Sequence, residues 1–217
     1  NGHIQMANQS LQALQVDEVW FMPTSNTPLK NRELTLDQER LAMIDLVVQK
    51  NPRFKVCTIE LERAGKSYTY DTLKKLIKTY PEHEFYWIIG NDQLEQFDKW
   101  YHADELVKMA HFVCFDREGK LSESKYDIMC MRMPSVPVSS SEIRLGNKLN
   151  YLPEDVLRYI YRNRLYVKDF VAARLTEKRY KHSLSVAKLC EDFALNNGYD
   201  MHIAYYIGLF HDIAKYM

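Results

Sequence analysis

The sequence has 217 residues, and its 29 lysines and arginines equal its 29 aspartates and glutamates, so the formal net charge is zero with neutral histidines. A domain that binds a nucleic-acid polyanion usually carries a strong basic excess, so a general nucleic-acid partner is excluded. Hydrophobic residues make up 46% of the chain, which supplies a buried core and excludes a disordered protein.

The cysteines and the lack of long apolar runs indicate a cellular compartment. The four cysteines stand far apart and form no CxxC pair: Cys57, Cys114, Cys130 and Cys190. We interpret them as buried, reduced thiols of a cytoplasmic protein. No run of 18 apolar residues occurs, so no membrane association is predicted. Because the sequence opens without a methionine or a lead-in strand and stops after a helical pattern, we expect a segment of something longer.

Helical and strand patterns alternate through the first part of the chain. Apolar residues at helical spacing predict helices at residues 4–15, 41–48, 72–80 and 105–110. Apolar or alternating segments predict strands at residues 19–22, 54–61, 85–89, 111–115 and 127–133. This alternation favours an α/β fold with a doubly wound, mainly parallel sheet. In such sheets ligands bind beyond the carboxyl ends of the strands, so the residues after each strand are candidates.

The pattern changes at Tyr166. Residues 171–196 and 200–214 are predicted as two helices, separated by a C-cap signal at Asn196, Asn197 and Gly198. No strand pattern follows them. We therefore predict a domain boundary near residues 165–169 and an all-helical second domain.

Two polar motifs lie where phosphates could bind. Gly2 and His3 precede the first predicted helix; a glycine lets the backbone approach a phosphate, and an imidazole can donate to a phosphoryl oxygen. The alternative is an incidental Gly-His pair. At residues 138–144, hydroxyls crowd a helix start, an acid lies three residues after Ser139, and Arg144 follows. This segment is either a plain N-cap or a triphosphate nest in which Arg144 neutralises charge.

Three further motifs could contact a base or a sugar. Asp92 follows a predicted strand, as acids that reach ribose hydroxyls do, although helix capping is an equal alternative. Trp100 and Tyr101 are adjacent aromatics that would either stack on a heteroaromatic ring or pack in the core. The hydroxyl-rich residues 67–72 would either cap a helix or hold a ligand.

Ionisable residues also mark the helical part. His182 lies on one predicted helix, and His211 and Asp212 lie late in the next, apolar one. Burying an ionisable His-Asp pair costs free energy unless a metal or a partner compensates. Taken alone, each of these residues has an ordinary core or surface role as its alternative.

In combination and order, these motifs resemble those of bacterial nicotinate-nucleotide adenylyltransferases over about residues 1–166. Asn1, Gly2 and His3 resemble the end of the family's HxGH motif, and residues 139–144 resemble its SSTxIR motif. Residues 20–23, 67–69, 88–92 and 99–101 fall where the family has equivalents. The resemblance implies a Rossmann-like nucleotidyltransferase fold that transfers adenylyl from ATP to nicotinate mononucleotide. The products would be deamido-NAD, for NAD biosynthesis, and pyrophosphate.

The resemblance also implies roles for individual residues. His3 would be catalytic, stabilising the α-phosphate oxygens of ATP while Mg²⁺ accompanies the nucleotide. ATP would be bound by Gly2, His3, Lys30, Ser139, Ser140 and Arg144. Nicotinate mononucleotide would be bound by Thr69, Asp92, Trp100 and Tyr101. The preference for the acid over the amide substrate is implied by the resemblance alone.

The sequence departs from the family pattern at three places. The family's first strand and the first histidine of HxGH would precede Asn1, and we expect poor activity without them. Thr27 to Lys30 stand where the family often has PPHK, so only Lys30 is proposed for a phosphate contact. Ser141 replaces the usual threonine and keeps the hydroxyl.

Residues 170–217 resemble the start of an HD-domain phosphohydrolase that cleaves diadenosine tetraphosphate. The resemblance implies a divalent metal, iron or similar, at His182, His211 and Asp212, while the closing aspartate of the signature would lie beyond Met217. An alternative function is therefore a metal-dependent hydrolase of dinucleoside polyphosphates, with a first domain that only binds nucleotide. A non-enzymatic nucleotide-binding scaffold is a third reading. The sequence leaves open whether the protein forms a homo-oligomer.

Overall fold

The computed structural model describes residues 2–24, 35–63, 66–116, 124–134 and 136–213. The chain divides into two compact units, residues 1–137 and 138–217. By these contacts, residues 138–166 belong with the helices that follow them. The predicted boundary between an adenylyltransferase domain, residues 1–166, and an HD domain, residues 170–217, stays a prediction.

The first unit alternates helices and strands. Its described elements are α1 (Gly2–Ala13), β1 (Val19–Phe21), α2 (Asp37–Val48), β2 (Phe54–Val56), α3 (Thr69–Thr79), β3 (Tyr86–Gly90), α4 (Asn91–Leu94), α5 (Ala103–Met109), β4 (His111–Asp116) and β5 (Met129–Arg132). A 3₁₀ turn at Phe97–Lys99 precedes α5.

The second unit is helical throughout its described residues. Its elements are α6 (Ser140–Arg144), α7 (Glu154–Arg162), α8 (Val167–Ala172), α9 (Glu177–Asn197) and α10 (Met201–Phe210), with a 3₁₀ turn at Leu149–Tyr151. Gly208 lets α10 approach α9, because a Cβ at that position would lie 2.7 Å from the Cα of Ala187. No helix of the described residues is both long enough and apolar enough to cross a membrane.

Every strand pair in the described residues is parallel. β1 pairs with β2, and β4 pairs with β3 on one side and β5 on the other. At the carboxyl edge of this second sheet, Gly90 lies beside Phe115, and Asp116 lies beside Arg132. Parallel strands joined through helices confirm the α/β prediction.

Helices cover both faces of the strands. Successive side chains of a strand point to opposite faces. In β4, Phe115 packs with Met6 of α1, whereas Cys114 lies in the core that contains Leu73 of α3 and Leu106 of α5. Helix α1 also packs against the sheet of β1 and β2. This two-sided cover is the doubly wound arrangement, and it places α1 on one face and α3 and α5 on the other.

Three predicted elements differ from those observed. The strand predicted at 54–61 ends at Val56, because the chain then enters a turn in which the Leu61 N–H donates to the Thr58 carbonyl at 2.8 Å. The helix predicted at 171–196 is divided into α8 and α9, since the extended backbone of Thr176 starts α9 as its N-cap. Helix α10 ends at Phe210, so the His-Asp pair lies just after a helix rather than within it.

The prediction that all four cysteines are buried is wrong for two of them. Cys57 and Cys114 are buried, whereas Cys130 is exposed and Cys190 is partly buried. Cys130 lies on β5, which has a strand neighbour on only one side in the described sheet and is largely exposed. All four carry free thiols, and burial raises the pKa of Cys114 to about 12.

Candidate active site and metal centre

Candidate residues of the first unit gather at the carboxyl edge of the strands. Helices α1, α3 and α5 each lead through a short connection into the amino end of a strand. Their first residues therefore face the opposite, carboxyl edge. Gly2 and His3 begin α1, Thr69 begins α3, Tyr101 precedes α5, and Asp92 lies two residues after the end of β3. The fold thus places these five residues on the side where doubly wound sheets bind ligands.

Gly2 and His3 form an open first turn of α1. His3 is exposed, and a Cβ at Gly2 would meet no described atom within 4 Å. Further along α1, the Gln9 side-chain amide donates to the carbonyl of Arg132 at 2.8 Å. This bond ties α1 to the carboxyl end of β5, and it keeps the first turn of the helix at that edge.

Asp92 lies exposed in the first turn of α4. Gly90, rather than Asp92, is the N-cap of that helix, so the capping alternative does not describe this carboxylate. The Asp92 Oδ1 folds back over the strand end, where a Cβ on Gly90 would be only 2.7 Å from it. Gln93 donates to the other oxygen at 3.3 Å. Glycine at position 90 therefore leaves room for the carboxylate.

Three tyrosines join two motifs that are separate in the sequence. The Tyr101 ring lies 5.0 Å from the Tyr68 ring and 5.8 Å from the Tyr70 ring, measured between centroids. Thr69 lies between these two partners in the chain and opens α3. Tyr101 is 50% exposed, so its ring can still accept a ligand. We call Tyr68, Tyr70 and Tyr101 the tyrosine cluster.

His102 and Glu105 support the tyrosine cluster, and the motif search missed both. The His102 Nδ1 lies 2.6 Å from Glu105 Oε1, and the Tyr70 hydroxyl donates to Glu105 Oε2 at 2.8 Å. The Tyr70 and His102 rings stack at 4.4 Å. The hydrogen bond from Tyr70, then that from His102, lowers the pKa of Glu105. An acid three residues after a helix-start residue was the available sequence signal.

The Trp100 side chain packs in the hydrophobic core. Its ring lies 5.1 Å from Phe97 and 6.4 Å from Phe112, within the core shared with α3 and α5. The indole Nε1 is buried and has no acceptor among the described residues. Buried indole N–H groups usually have a partner, so this donor is available to a ligand.

A buried glutamate secures the first turn of α3. Glu60 is only 5% exposed and accepts a hydrogen bond from the Thr72 hydroxyl at 2.8 Å. Arg63 donates to the same hydroxyl at 3.3 Å and lies 3.9 Å from a carboxylate oxygen of Asp71. Burial raises the pKa of Glu60, against the opposing effects of Thr72 and Arg63. The network fixes the helix start that carries Thr69.

Ser139 is the N-cap of α6 in the second unit. Its hydroxyl accepts from the Glu142 N–H at 3.1 Å, and a Glu142 carboxylate oxygen accepts from the Ser139 N–H at 2.8 Å. Lys148 lies 2.8 Å from the other carboxylate oxygen. The Lys148 hydrogen bond, followed by those from Ser139, lowers the pKa of Glu142 to about 2. The structure thus contains a complete capping box, as the spacing predicts.

Ser140 and Arg144 are the first and last residues of α6. Ser140 is exposed, and Arg144 Nη2 donates to the Ser141 hydroxyl at 3.2 Å. Capping and phosphate binding are compatible here, because exposed hydroxyls remain beside a guanidinium. Lys30, the remaining predicted phosphate ligand, lies outside the described residues.

His182, His211 and Asp212 converge in the second unit. One ligand atom from each lies within 4.8 Å of the others, and the two imidazole centroids are 5.2 Å apart. His211 Nδ1 lies 2.7 Å from the Gly208 carbonyl, to which it can donate. Such a bond selects the tautomer with an unprotonated Nε2, as metal-bound histidines commonly have. We call these three residues the metal-ligand cluster.

Arg179 is a neighbour of this cluster that the sequence patterns did not indicate. Its Nη1 donates to Asp212 Oδ2 at 2.9 Å, and His211 Nε2 lies 3.4 Å from the same oxygen. The guanidinium compensates a carboxylate whose residue is 2% exposed. Two imidazoles and a carboxylate are donors that suit a divalent transition metal, so the residues fit such an ion. Arg179 precedes His182 by three residues on α9, a spacing that could have suggested it.

Comparisons with known proteins give matches to two parts of the chain. A family model described as cytidylyltransferase-like matches residues 1–146, and an HD-domain model matches residues 179–217. A probable nicotinate-nucleotide adenylyltransferase of Geobacillus kaustophilus (strain HTA426) is 43% identical over 171 residues, which cover 76% of this chain and 79% of that protein. One of Bacillus licheniformis is 43% identical over 172 residues, covering 76% of this chain and 91% of the relative.

A solved structure shows a similar fold. It is the Plasmodium falciparum nicotinic acid mononucleotide adenylyltransferase complexed with NaAD. The match has a TM-score of 0.64 and 21% identity, and it covers 76% of this chain and 90% of that one. At this identity the similarity describes the fold alone.

Proposed function

This chain belongs to the nicotinate-nucleotide adenylyltransferases within the cytidylyltransferase-like family, and we propose that it transfers the adenylyl group of ATP to nicotinate mononucleotide. The reaction gives deamido-NAD and pyrophosphate and serves NAD biosynthesis. One observation carries the assignment of the site: the tyrosine cluster joins the motifs of Thr69 and Tyr101 at the carboxyl edge of the strands.

The proposed chemistry requires no protein nucleophile. An oxygen of the nicotinate mononucleotide phosphate attacks the α-phosphorus of ATP and forms a new P–O bond. The bond between the α-phosphorus and the oxygen bridging to the β-phosphate breaks, and pyrophosphate leaves with the electron pair of that bond. The protein therefore acts by positioning the two substrates and by neutralising charge. Mg²⁺ bound to ATP would arrive with the substrate and share in that neutralisation.

ATP would be bound by residues of the two phosphate motifs. His3 would donate to the α-phosphate oxygens as negative charge develops, and Gly2 would allow the backbone to approach them. The open space beside Gly2 and the exposure of His3 support these roles. The other phosphates would be held by Lys30, Ser139, Ser140 and Arg144. The exposed hydroxyls at the start of α6 support the part assigned to the serines.

Nicotinate mononucleotide would bind at the start of α3. The half-exposed Tyr101 ring would stack on the pyridine ring, and the buried Trp100 Nε1 would gain its missing acceptor. Thr69 and the first N–H groups of α3 would receive the nicotinate carboxylate, since a helix N-terminus favours an anion. The same dipole argument favours the acid over the neutral amide. Asp92 would accept hydrogen bonds from the sugar hydroxyls.

The test is product formation by the full-length protein. With ATP and Mg²⁺, we expect nicotinate mononucleotide to yield deamido-NAD and nicotinamide mononucleotide to react much more slowly. Arg144→Ala should raise the KM for ATP. Absence of product with either mononucleotide would overturn the proposal, and equal turnover of both would overturn the acid preference alone.

A second activity is favoured by the metal-ligand cluster. We propose that residues 170–217 contribute to a metal-dependent hydrolase of dinucleoside polyphosphates. His182, His211 and Asp212 would hold a divalent ion, iron or similar, which would activate water for attack on a phosphoanhydride. The expected result is release of nucleoside diphosphate from diadenosine tetraphosphate, lost in His211→Ala with adenylyl transfer retained. Hydrolysis that survives both His211→Ala and a chelator would contradict it.

We propose a cytoplasmic location for both activities. Their substrates are small charged nucleotides, and the protein carries four free thiols, which suits a reducing compartment. Cell fractionation followed by detection of the protein would test the location.

A further inference from the structure

The C-terminal end of α6 lies against an aromatic ring of α8. Gly146 follows the C-cap Leu145 and has a φ of 78°, in the region that favours glycine. A Cβ at Gly146 would lie 2.5 Å from Cδ2 and 2.7 Å from Cε2 of Phe170. The Phe170 ring therefore packs directly on the backbone, and a side chain at position 146 would push it away.

The backbone beneath Phe170 closes α6 with a Schellman motif. The Gly146 N–H donates to the Ile143 carbonyl at 2.9 Å, and the Asn147 N–H donates to the Glu142 carbonyl at 2.9 Å. Helix α6 has only five residues, and isolated helices of that length are not stable in water. Its position must therefore come from its two caps and from what packs on them.

Arg174 strengthens the same contact. Its guanidinium lies 3.8 Å from the centroid of the Phe170 ring, and its Nη1 donates to the Phe170 carbonyl at 3.0 Å. Its Nη2 donates to the carbonyl of Leu145, the C-cap of α6, at 3.4 Å. One side chain thus links the end of α6 to the end of α8.

Phe170 in turn belongs to the helical core of the second unit. It packs against the cluster that contains Val171 and Leu209, and its ring meets the Phe210 ring edge-on at 5.8 Å. Phe210 directly precedes His211 of the metal-ligand cluster. Both Phe170 and Arg174 lie in residues 147–178, between the two family matches.

We infer that Phe170 and Arg174 are positioning residues for adenylyl transfer: they hold α6 so that Ser139 and Arg144 meet the phosphates of ATP. The inference rests on the proposed function, which assigns those two residues to ATP. It adds that α8, through Phe170 and the helical core behind it, stabilises the ATP site. Removing the ring would leave both caps of α6 in place but release the helix from its support.

The test is equilibrium binding of ATP and of nicotinate mononucleotide, each measured alone by calorimetry on the full-length protein. Phe170→Ala should weaken ATP binding about tenfold, because small displacements of a positioning element are costly. Binding of nicotinate mononucleotide should stay unchanged, since its proposed ligands lie in the first unit. Phe170→Leu should restore part of the ATP affinity. Phe193→Ala removes a ring that is 63% exposed on α9 and serves as the matched control.

Arg174 provides a second variant if Phe170→Ala does not fold. Arg174→Ala should weaken ATP binding in the same direction by a smaller factor, with Arg174→Lys no better because the planar guanidinium is lost. An equal loss of affinity for ATP and for nicotinate mononucleotide in either variant would indicate general destabilisation and would overturn the inference.

Arg144→Ala distinguishes a failure of the proposed ATP site from a failure of the positioning role. If it leaves ATP affinity unchanged, the assignment of α6 to ATP fails. If it weakens ATP binding while Phe170→Ala and Arg174→Ala do not, the positioning role alone is overturned.

Discussion

His3, Asp92 and Tyr101 lie at the ends of three different elements of the first unit, whereas the metal-ligand cluster of the second unit brings its three ligand atoms within 4.8 Å of one another. The first set is exposed, and the Tyr101 ring packs on Tyr70, which donates a hydrogen bond to Glu105. The metal-ligand cluster instead contains a buried carboxylate, Asp212, which accepts a hydrogen bond from Arg179.

The two sites should therefore respond differently to mutation. The residues along the sheet edge are proposed to contact different parts of the substrates, so each should affect its own kinetic parameter, and distant changes should add. Ligands of one ion act together, so losing any one should remove most of the affinity. Four predictions test this contrast, in order of decreasing effect.

His3→Ala should lower kcat for adenylyl transfer about 100- to 1000-fold, the range for losing one donor to a developing oxyanion. The KM values should change little, because the interaction strengthens in the transition state. Steady-state assay of deamido-NAD formation measures the effect. Asn8→Ala alters another exposed residue of α1 and should be neutral. An unchanged kcat in His3→Ala would remove His3 from the edge site.

His182→Ala and His211→Ala should each reduce affinity for a divalent ion by at least about 100-fold, because each deletes one ligand atom of a small set. The double variant should be no worse than the singles within the detection limit. Metal content after dialysis is the measurement. His202→Ala changes a histidine of α10 outside the cluster and should retain the ion. Partial losses of ion affinity that add up in the double variant would contradict a single shared ion site.

Tyr101→Ala should raise the KM for nicotinate mononucleotide about two- to tenfold, since an aromatic stacking contact contributes about 0.5–1.5 kcal/mol. The KM for ATP should stay constant, and Tyr101→Phe should retain most of the binding. Tyr199→Ala deletes a similarly exposed tyrosine of the second unit and is the control. Parallel changes in both KM values would argue against separate contacts along the edge.

Glu60→Gln should change the pH dependence of stability more than activity. Burial raises the folded-state pKa of Glu60, so its favourable contribution is present below its unfolded pKa and is lost as the pH rises through the folded pKa. The amide avoids that loss and can still accept the bond from Thr72. Relative to the parent protein, the variant should therefore gain unfolding free energy as the pH rises above about 4, near the pKa of an unfolded-state glutamate.

Urea denaturation at several pH values measures this gain. Glu82→Gln, which alters an exposed glutamate, should show no such trend. A gain that is independent of pH would mean that Glu60 is not the titrating group.

Local features of the site could be read from the sequence. The spacing of Ser139 and Glu142 predicts the capping box, and the structure contains both of its hydrogen bonds. The apolar run ending at Gly90 predicts β3 and places Asp92 after it. Such features depend on residues three or four positions apart, or on side-chain alternation, so the sequence pattern contains them directly.

The burial of side chains and the points where helices end were less predictable. Cys130 is exposed because its strand has a neighbour on only one side of the described sheet, which no local pattern reveals. The division between α8 and α9 depends on Thr176 acting as an N-cap within a continuous helical pattern. Both outcomes depend on competition between local propensity and packing.

The α/β alternation, the helical second part, the family and the order of the motifs follow from the amino-acid sequence alone. Three contacts become visible only in the folded chain: Tyr101 with Tyr68 and Tyr70, Arg179 with Asp212, and Phe170 with Gly146. Periodicity and capping arise from the geometry of one helix or strand. Contacts between residues more than twenty positions apart arise from how helices pack on sheets and on one another, which local spacing does not encode.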